Sequence, residues 1–332
     1  MQRTFISFLR EKSNNTTSFV DEIATVLDIG YDAAYRRINS KTHLTLEEAV
    51  RLAKFYQISL NSLFEVGSQN SILAELSPNL TNAKALEEYF IISKNNLLPM
   101  VKLKSATILY SAKELPIFHT LKDSYIAKYK MYVWLKDVDI DMAASHTTFE
   151  EFLKVIPQSL IDSANNLSEV YKDINITEFW NDMTINSTIQ QIVYYYESGL
   201  LSKDMALLIC NDTDQVLRDV EQQAIQQSIT GSQNKTVYNL YKTDLHSMNN
   251  VIMVNTPYKK VFFTPFTLLS YFKIEHQPTC NLMYEFFEKQ KFHSKLLVNA
   301  GERDRTQFFN GMHQKIDKLR EHILKTEFYS IL

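Results

Sequence analysis

"YDAAYRRINSKTHLTLEEAVRLAKFY", residues 31–56, decides how the N-terminal part of this chain folds. Its first nine positions carry helical spacing. Ala34 and Ile38 share a face, with Tyr31 close by, and that face is expected to pack inward. Asp32, Ala33, Arg36 and Ser40 lie on the opposite side, with Arg37 on the flank. Tyr31 and Tyr35 read as core or boundary residues, the usual place of aromatics on a short helix. A Ser-Lys-Thr-His turn follows. Thr45-x-x-Glu48 is then a capping-box pattern, opening a helix expected to bury Leu46, Ala49, Val50 and Ala53. Between Ala33 and Leu46 stand Arg36, Arg37, Lys41 and His43, and no acid.

Three more short helices flank this pair. "QRTFISFLREK" sets Phe5, Ile6 and Leu9 on one face. After polar "SNNTTS", with Thr17 or Ser18 as cap, the next helix buries Phe19, Val20, Ile23, Val26 and Leu27. "DIGYD" is a tight turn. "SLNSLF" supplies a fifth helix, with Ser59 as its cap.

Five such helices in about 65 residues resemble the λ-repressor-like (Xre/Cro type) helix-turn-helix domain. The resemblance rests on the large-small pair Ile23-Ala24, on Ala33 to Ile38 in the place of the recognition helix, and on Leu46 to Lys54 as a fourth helix. It covers about a fifth of the chain. The family's usual turn glycine is replaced by Asp28, with Gly30 two positions later. The resemblance implies a recognition helix in the major groove of double-stranded DNA. Arg36 would then read a base edge, and Arg37, Lys41 and His43 would hold phosphate or sugar. Asp32, Ala33 and Ser40 would line the same face. The family's habit of reading palindromes implies a homodimer.

Composition confines that charge argument to one place. The 332 residues carry a net charge of −3, and residues 1–66 balance at 8 basic and 8 acidic, so the chain is no general polycation. With 6 Gly and 7 Pro, long helices are expected. The N-terminus has charges through its apolar stretch, unlike a secretory signal, and no run reaches the roughly 20 apolar residues of a membrane span. A cytoplasmic protein without a membrane partner is the expectation. Cys210 and Cys280, 70 residues apart, suit free thiols.

Residues 67–84, polar and containing Pro78, read as a linker. Residues 85–332 read as a mostly helical sensing or assembly domain. "TVYNLYKTDL", "NVIMVN" and "KKVFFTP" spell a small antiparallel β-meander at about 236–264. The expected fold class is therefore mainly α. The last helix sets Phe309, Met312, Ile316, Leu319 and Ile323 on one seam, which either packs onto the chain itself or forms a dimer contact. "SAKELPIFH", "STIQQIVYYYESGL" and "RDRTQFFNGMHQKIDKL" resemble the C-terminal part of long bacterial helix-turn-helix regulators, which implies a companion domain of undefined chemistry.

No phosphate-binding glycine loop or His-Glu-x-x-His occurs, and no cofactor, metal or enzymatic activity is expected. Asp212 and Asp214 suit helix capping better than metal binding. The spacing of Cys280 and His293 is ascribed to chance. The expected function is a sequence-specific transcriptional regulator answering an unknown small-molecule or protein effector. The alternative is an adaptor whose helix-turn-helix-like head binds protein.

Overall fold

The computed structural model describes residues 1–13, 18–64, 72–245, 248–298 and 301–325. The chain divides into two compact units, Met1–Leu73 and Ala74–Leu332.

The first unit, the head, consists of α1 (Gln2–Lys12), α2 (Phe19–Leu27), α3 (Tyr31–Ile38), α4 (Leu46–Phe55) and α5 (Leu60–Phe64). Phe5 and Leu9 of α1, Ile23 of α2, Ala34 of α3 and Leu52 of α4 meet in its core. Ser18 stands at the N-cap of α2, while Thr17 lies outside the described residues. The turn between α2 and α3 explains the missing glycine. Asp28 itself takes the left-handed conformation (φ 56°), and the Ile29 N–H donates to Ala24 O at 3.0 Å, closing α2. Aspartate is one of the few residues with a side chain that enters this region at modest cost. Three side chains depart from expectation, Tyr35 among them at 46% exposure. Leu46 is 79% exposed, because the first residue of a capped helix points away from the bundle, and Tyr31 is 52% exposed.

The second unit, the body, runs β1 (Glu75–Leu76), α6 (Ala83–Val101), β2 (Thr107–Ser111), α7 (Ile117–Thr120), α8 (Tyr125–Val138), α9 (Ile140–Ala144), α10 (Phe149–Val155), α11 (Gln158–Tyr171) and β3 (Asn175–Trp180). It continues with α12 (Asn186–Glu197), α13 (Lys203–Gln226), β4 (Tyr238–Lys242), β5 (Val251–Asn255), β6 (Lys260–Pro265), β7 (Tyr271–Ile274), α14 (Gln277–Phe292), β8 (Lys295–Leu296) and α15 (Glu302–Lys325).

The expectation of a mainly α body with a small antiparallel meander is overturned. The strands form one eight-stranded mixed sheet in the order β1-β7-β6-β5-β2-β3-β4-β8. β2, β3 and β4 run parallel, joined by crossovers through α7 to α11 and through α12 and α13. The remaining pairings are antiparallel. Of the expected meander, the β5–β6 hairpin exists. β4 is not next to β5, because two strands, β2 and β3, lie between them. The stretch 67–84 is no simple linker either. β1 pairs with β7, and Leu80 is buried; residues 65–71 lie outside the described residues.

Alternation along the strands separates two cores. Ile108, Tyr110, Ile176, Trp180, Tyr238 and Leu240 face a thick helical layer that includes α6, α8, α11, α13 and α15. Leu109, Phe179, Tyr241, Met253 and Phe262 face the other way, toward Cys280 and Phe287 of α14. The apolar seam of α15 is buried inside the first layer, against α13 and α12, so it is no dimer contact.

Candidate nucleic-acid interface

α3 follows an N-cap at Gly30 and presents an outward stripe. Asp32 and Arg36 are exposed, and Tyr35 is 46% exposed beside the half-exposed Tyr31. Ala34 and Ile38 are buried, and Ala33 is half-buried. Arg36 makes no ion pair among the described residues. The aromatics therefore sit on the outward side of the helix rather than in the core. The reason is α3's shortness: with Ala34 and Ile38 filling the inward positions, a wheel of eight residues leaves the tyrosines outside.

Arg37 is placed differently from expectation. Its Nε and Nη2 donate to the Glu48 carboxylate at 2.7–3.0 Å, and its Nη1 reaches Ala33 O at 3.3 Å. These hydrogen bonds hold the Glu48 carboxyl below its ordinary range. Glu48 also accepts the Thr45 N–H at 3.0 Å, while its own N–H donates to Thr45 Oγ1 at 3.1 Å. One carboxylate thus closes the capping box of α4 and ties α4 to α3. In this arrangement the Arg37 guanidinium, for which a phosphate contact is the expectation, is turned to Glu48 and Ala33 O and braces α3 against α4.

Ser40 also departs from the expected role. It ends α3 at φ 55°, where the Ser40 N–H donates to Arg37 O (3.0 Å) and the Lys41 N–H to Arg36 O (2.8 Å). This is a Schellman closure. The Ser40 Oγ is buried and has no hydrogen-bond partner among the described residues. Lys41 and His43 follow on the loop, both exposed.

Sequence reasoning missed the group that fixes this loop. Gln2 of α1 donates from Nε2 to Arg37 O (2.8 Å) and Thr42 O (2.9 Å), and its Oε1 accepts the Leu44 N–H (3.1 Å). The side chain satisfies backbone groups that the end of α3 leaves open. Nothing in the local pattern signals it, because its partners lie 35 to 42 positions away.

Comparison with known protein families, curated proteins and solved structures finds no match for this chain.

The body holds ionisable clusters of its own. The carboxylate of Glu178, in the middle of the parallel strands, is fully buried. It accepts from His119 Nε2 (2.9 and 3.0 Å), Tyr171 OH (2.9 Å), Trp180 Nε1 (2.9 Å) and Tyr238 OH (2.8 Å). Burial pushes its pKa up, but His119 and the two hydroxyls outweigh it, and the net shift is downward. An ionised Glu178 can only accept, so His119 Nε2 carries the hydrogen of this pair. Lys130 is buried too, with its Nζ donating to Gln191 Oε1 at 2.7 Å, and burial lowers its pKa to about 8.

Asp212 does cap a helix, but a distant one: it accepts the Ile126 N–H in the first turn of α8, at 3.1 Å. Asp214 stands mid-helix in α13 and caps no helix among the described residues. It binds His313 Nδ1 (2.6 Å) and Arg218 (2.9 Å). Cys280 is buried and donates to Ile274 O, while His293 is exposed at the end of α14. Among the described residues no group of His, Cys, Asp and Glu could hold a metal ion, and no helix is long and apolar enough to cross a membrane.

Proposed function

We propose that the head is a DNA-binding module of a transcriptional regulator, with α3 entering the major groove of duplex DNA. The observation that carries this reading is the outward stripe of α3, continued by a braced cationic loop. Arg36 projects from the helix, and Lys41 and His43 follow on a loop pinned by Gln2. A guanidinium in a major groove grips guanine through two acceptors. Asp32, one turn earlier, suits the amino group of cytosine. Tyr31 and Tyr35 can pack on thymine methyl groups. Lys41 and His43 lie where phosphate contacts set the docking position. Arg37 acts indirectly, by fixing the angle between α3 and α4.

The test is selection of duplexes from a random pool by the full chain, followed by titration at rising salt. A DNA-binding head enriches a defined sequence, and its affinity falls steeply with salt. A chain that retains no duplex even in dilute buffer overturns the reading.

One observation favours a second reading, a protein-binding adaptor. The head exposes Tyr31 and Tyr35 on α3 and the 79% exposed Leu46 on α4, apolar side chains of the kind that protein interfaces bury. An adaptor would show no salt-sensitive affinity for any duplex.

A further inference from the structure

α14 covers the second face of the sheet with Cys280 and Phe287, and its opposite side is open. Leu282 is 66% exposed, Phe286 49% and Phe292 84%. On a helical wheel Leu282, Glu285, Lys289 and Phe292 form one seam at spacings of three, four and three, with Phe286 and His293 beside it. A shallow groove of about 470 Å³ runs along this surface, walled by Tyr284 and Glu288. Among the described residues neither Glu285 nor Lys289 makes an ion pair, although they are one turn apart.

We infer that this face of α14 is a self-complementary surface on which a second copy of the chain docks antiparallel. The pattern of the seam selects both the occupant and its direction. Two such helices related by a two-fold axis beside Phe287 bring Leu282 against the second copy's Phe292. The same axis brings Glu285 against the second copy's Lys289. Each contact occurs twice, as an isologous interface requires. A parallel arrangement would set Glu285 against Glu285 and Lys289 against Lys289, which like-charge repulsion disfavours. The spacing is that of an antiparallel two-helix seam with an apolar pair at each end and a charge pair between.

The surface is modest. Sixteen residues of helix extend about 24 Å, so a single helix pair buries less than the roughly 800 Å² per partner of a standard interface. The dimer is therefore concentration-dependent. It stands apart from the DNA reading: a chain that binds no duplex still dimerises through α14.

The experiment is sedimentation of the full chain across the micromolar range, for the parent and three variants. The parent shows a monomer–dimer equilibrium. Glu285→Lys and Lys289→Glu each set like charges face to face, and each weakens self-association by about tenfold or more. Mixed together, these two variants form a heterodimer, because every facing pair is then opposite in sign. The double variant E285K/K289E recovers the parent's homodimer. All substituted side chains are exposed, and circular dichroism verifies that each variant is folded. A parent that stays monomeric throughout overturns the inference. So does a dimer indifferent to the single reversals, or a double variant as weak as the single ones.

Discussion

Arg36 and Arg37 are neighbours of identical chemistry, and their surroundings separate them. Arg36 projects from α3, whereas Arg37 is held between Glu48 and Ala33 O. Arg36→Ala should cost about 1–3 kcal/mol of sequence-specific binding and leave the melting temperature unchanged. Arg37→Ala should lower the stability of the head by about 1–2 kcal/mol, as loss of a charge-assisted pair does. Gel-shift titration beside thermal melting of each variant separates the two effects; equal binding losses with equal melting temperatures would contradict the assignment. Lys130 carries a prediction of opposite sign. Its folded pKa, about 8, lies below the ordinary 10.5. The charged form is the one burial disfavours, so the cost is fully present below pH 8 and fades as pH rises toward 10.5. Lys130→Met should therefore raise the melting temperature at pH 7, and the parent should gain on the variant as the solution turns alkaline. The upper bound is about 3 kcal/mol, at about 1.4 per pKa unit. A variant that melts lower at pH 7 would refute this account.

At the scale of elements, the head was legible and the sheet was not. The helices of the head repeat apolar residues every three or four positions over short distances, and caps such as Thr45 with Glu48 mark where they start. β2 and β3 give no such signal. "TILYS" is buried on both faces, so it lacks the alternation of a half-exposed strand. "NITEFW" contains Asn175 and Glu178, which look like surface letters until the His119, Tyr171, Trp180 and Tyr238 partners are seen. Trp180 stands in the same strand, but His119, Tyr171 and Tyr238 come from three other segments of the chain, which no local window contains. The candidate site was legible as a charge cluster. The difference between Arg36 and Arg37 was not, because it depends on Glu48, 11 positions further on. The turn before α3 offers a test of its own. Asp28 holds a conformation that glycine adopts at less cost, so Asp28→Gly should stabilise the head by about 0.5–1 kcal/mol. Denaturant titration measures it, and a lower midpoint would show that the Asp28 side chain has a stabilising role beyond the turn.

For the whole molecule, the Glu178 cluster ties the parallel strands to α7 and α11. Its folded pKa lies below the ordinary 4.5, so the stability it adds is present above about that pH and is lost as pH falls through the folded value. Glu178→Ala leaves buried donors without their acceptor and should cost about 3–5 kcal/mol at pH 7. The gap between parent and variant should narrow on acidification below pH 4.5. Urea unfolding at pH 7 and at pH 3.5 checks this; a gap that stays constant would mean that the carboxylate is already protonated in the native fold.

The edge pairing of β1 with β7 has a consequence for how the chain is made. Lys273 and Glu75, bonded across that edge, are 198 positions apart. At ribosomal speeds of about 5–20 residues per second, β1 waits on the order of ten seconds or more for its partner strand. The head, complete within its first 64 or so residues, can be finished long before. Nascent protein therefore passes through a stage in which a folded N-terminal bundle trails an open sheet, and that stage is where chaperones or aggregation compete for it.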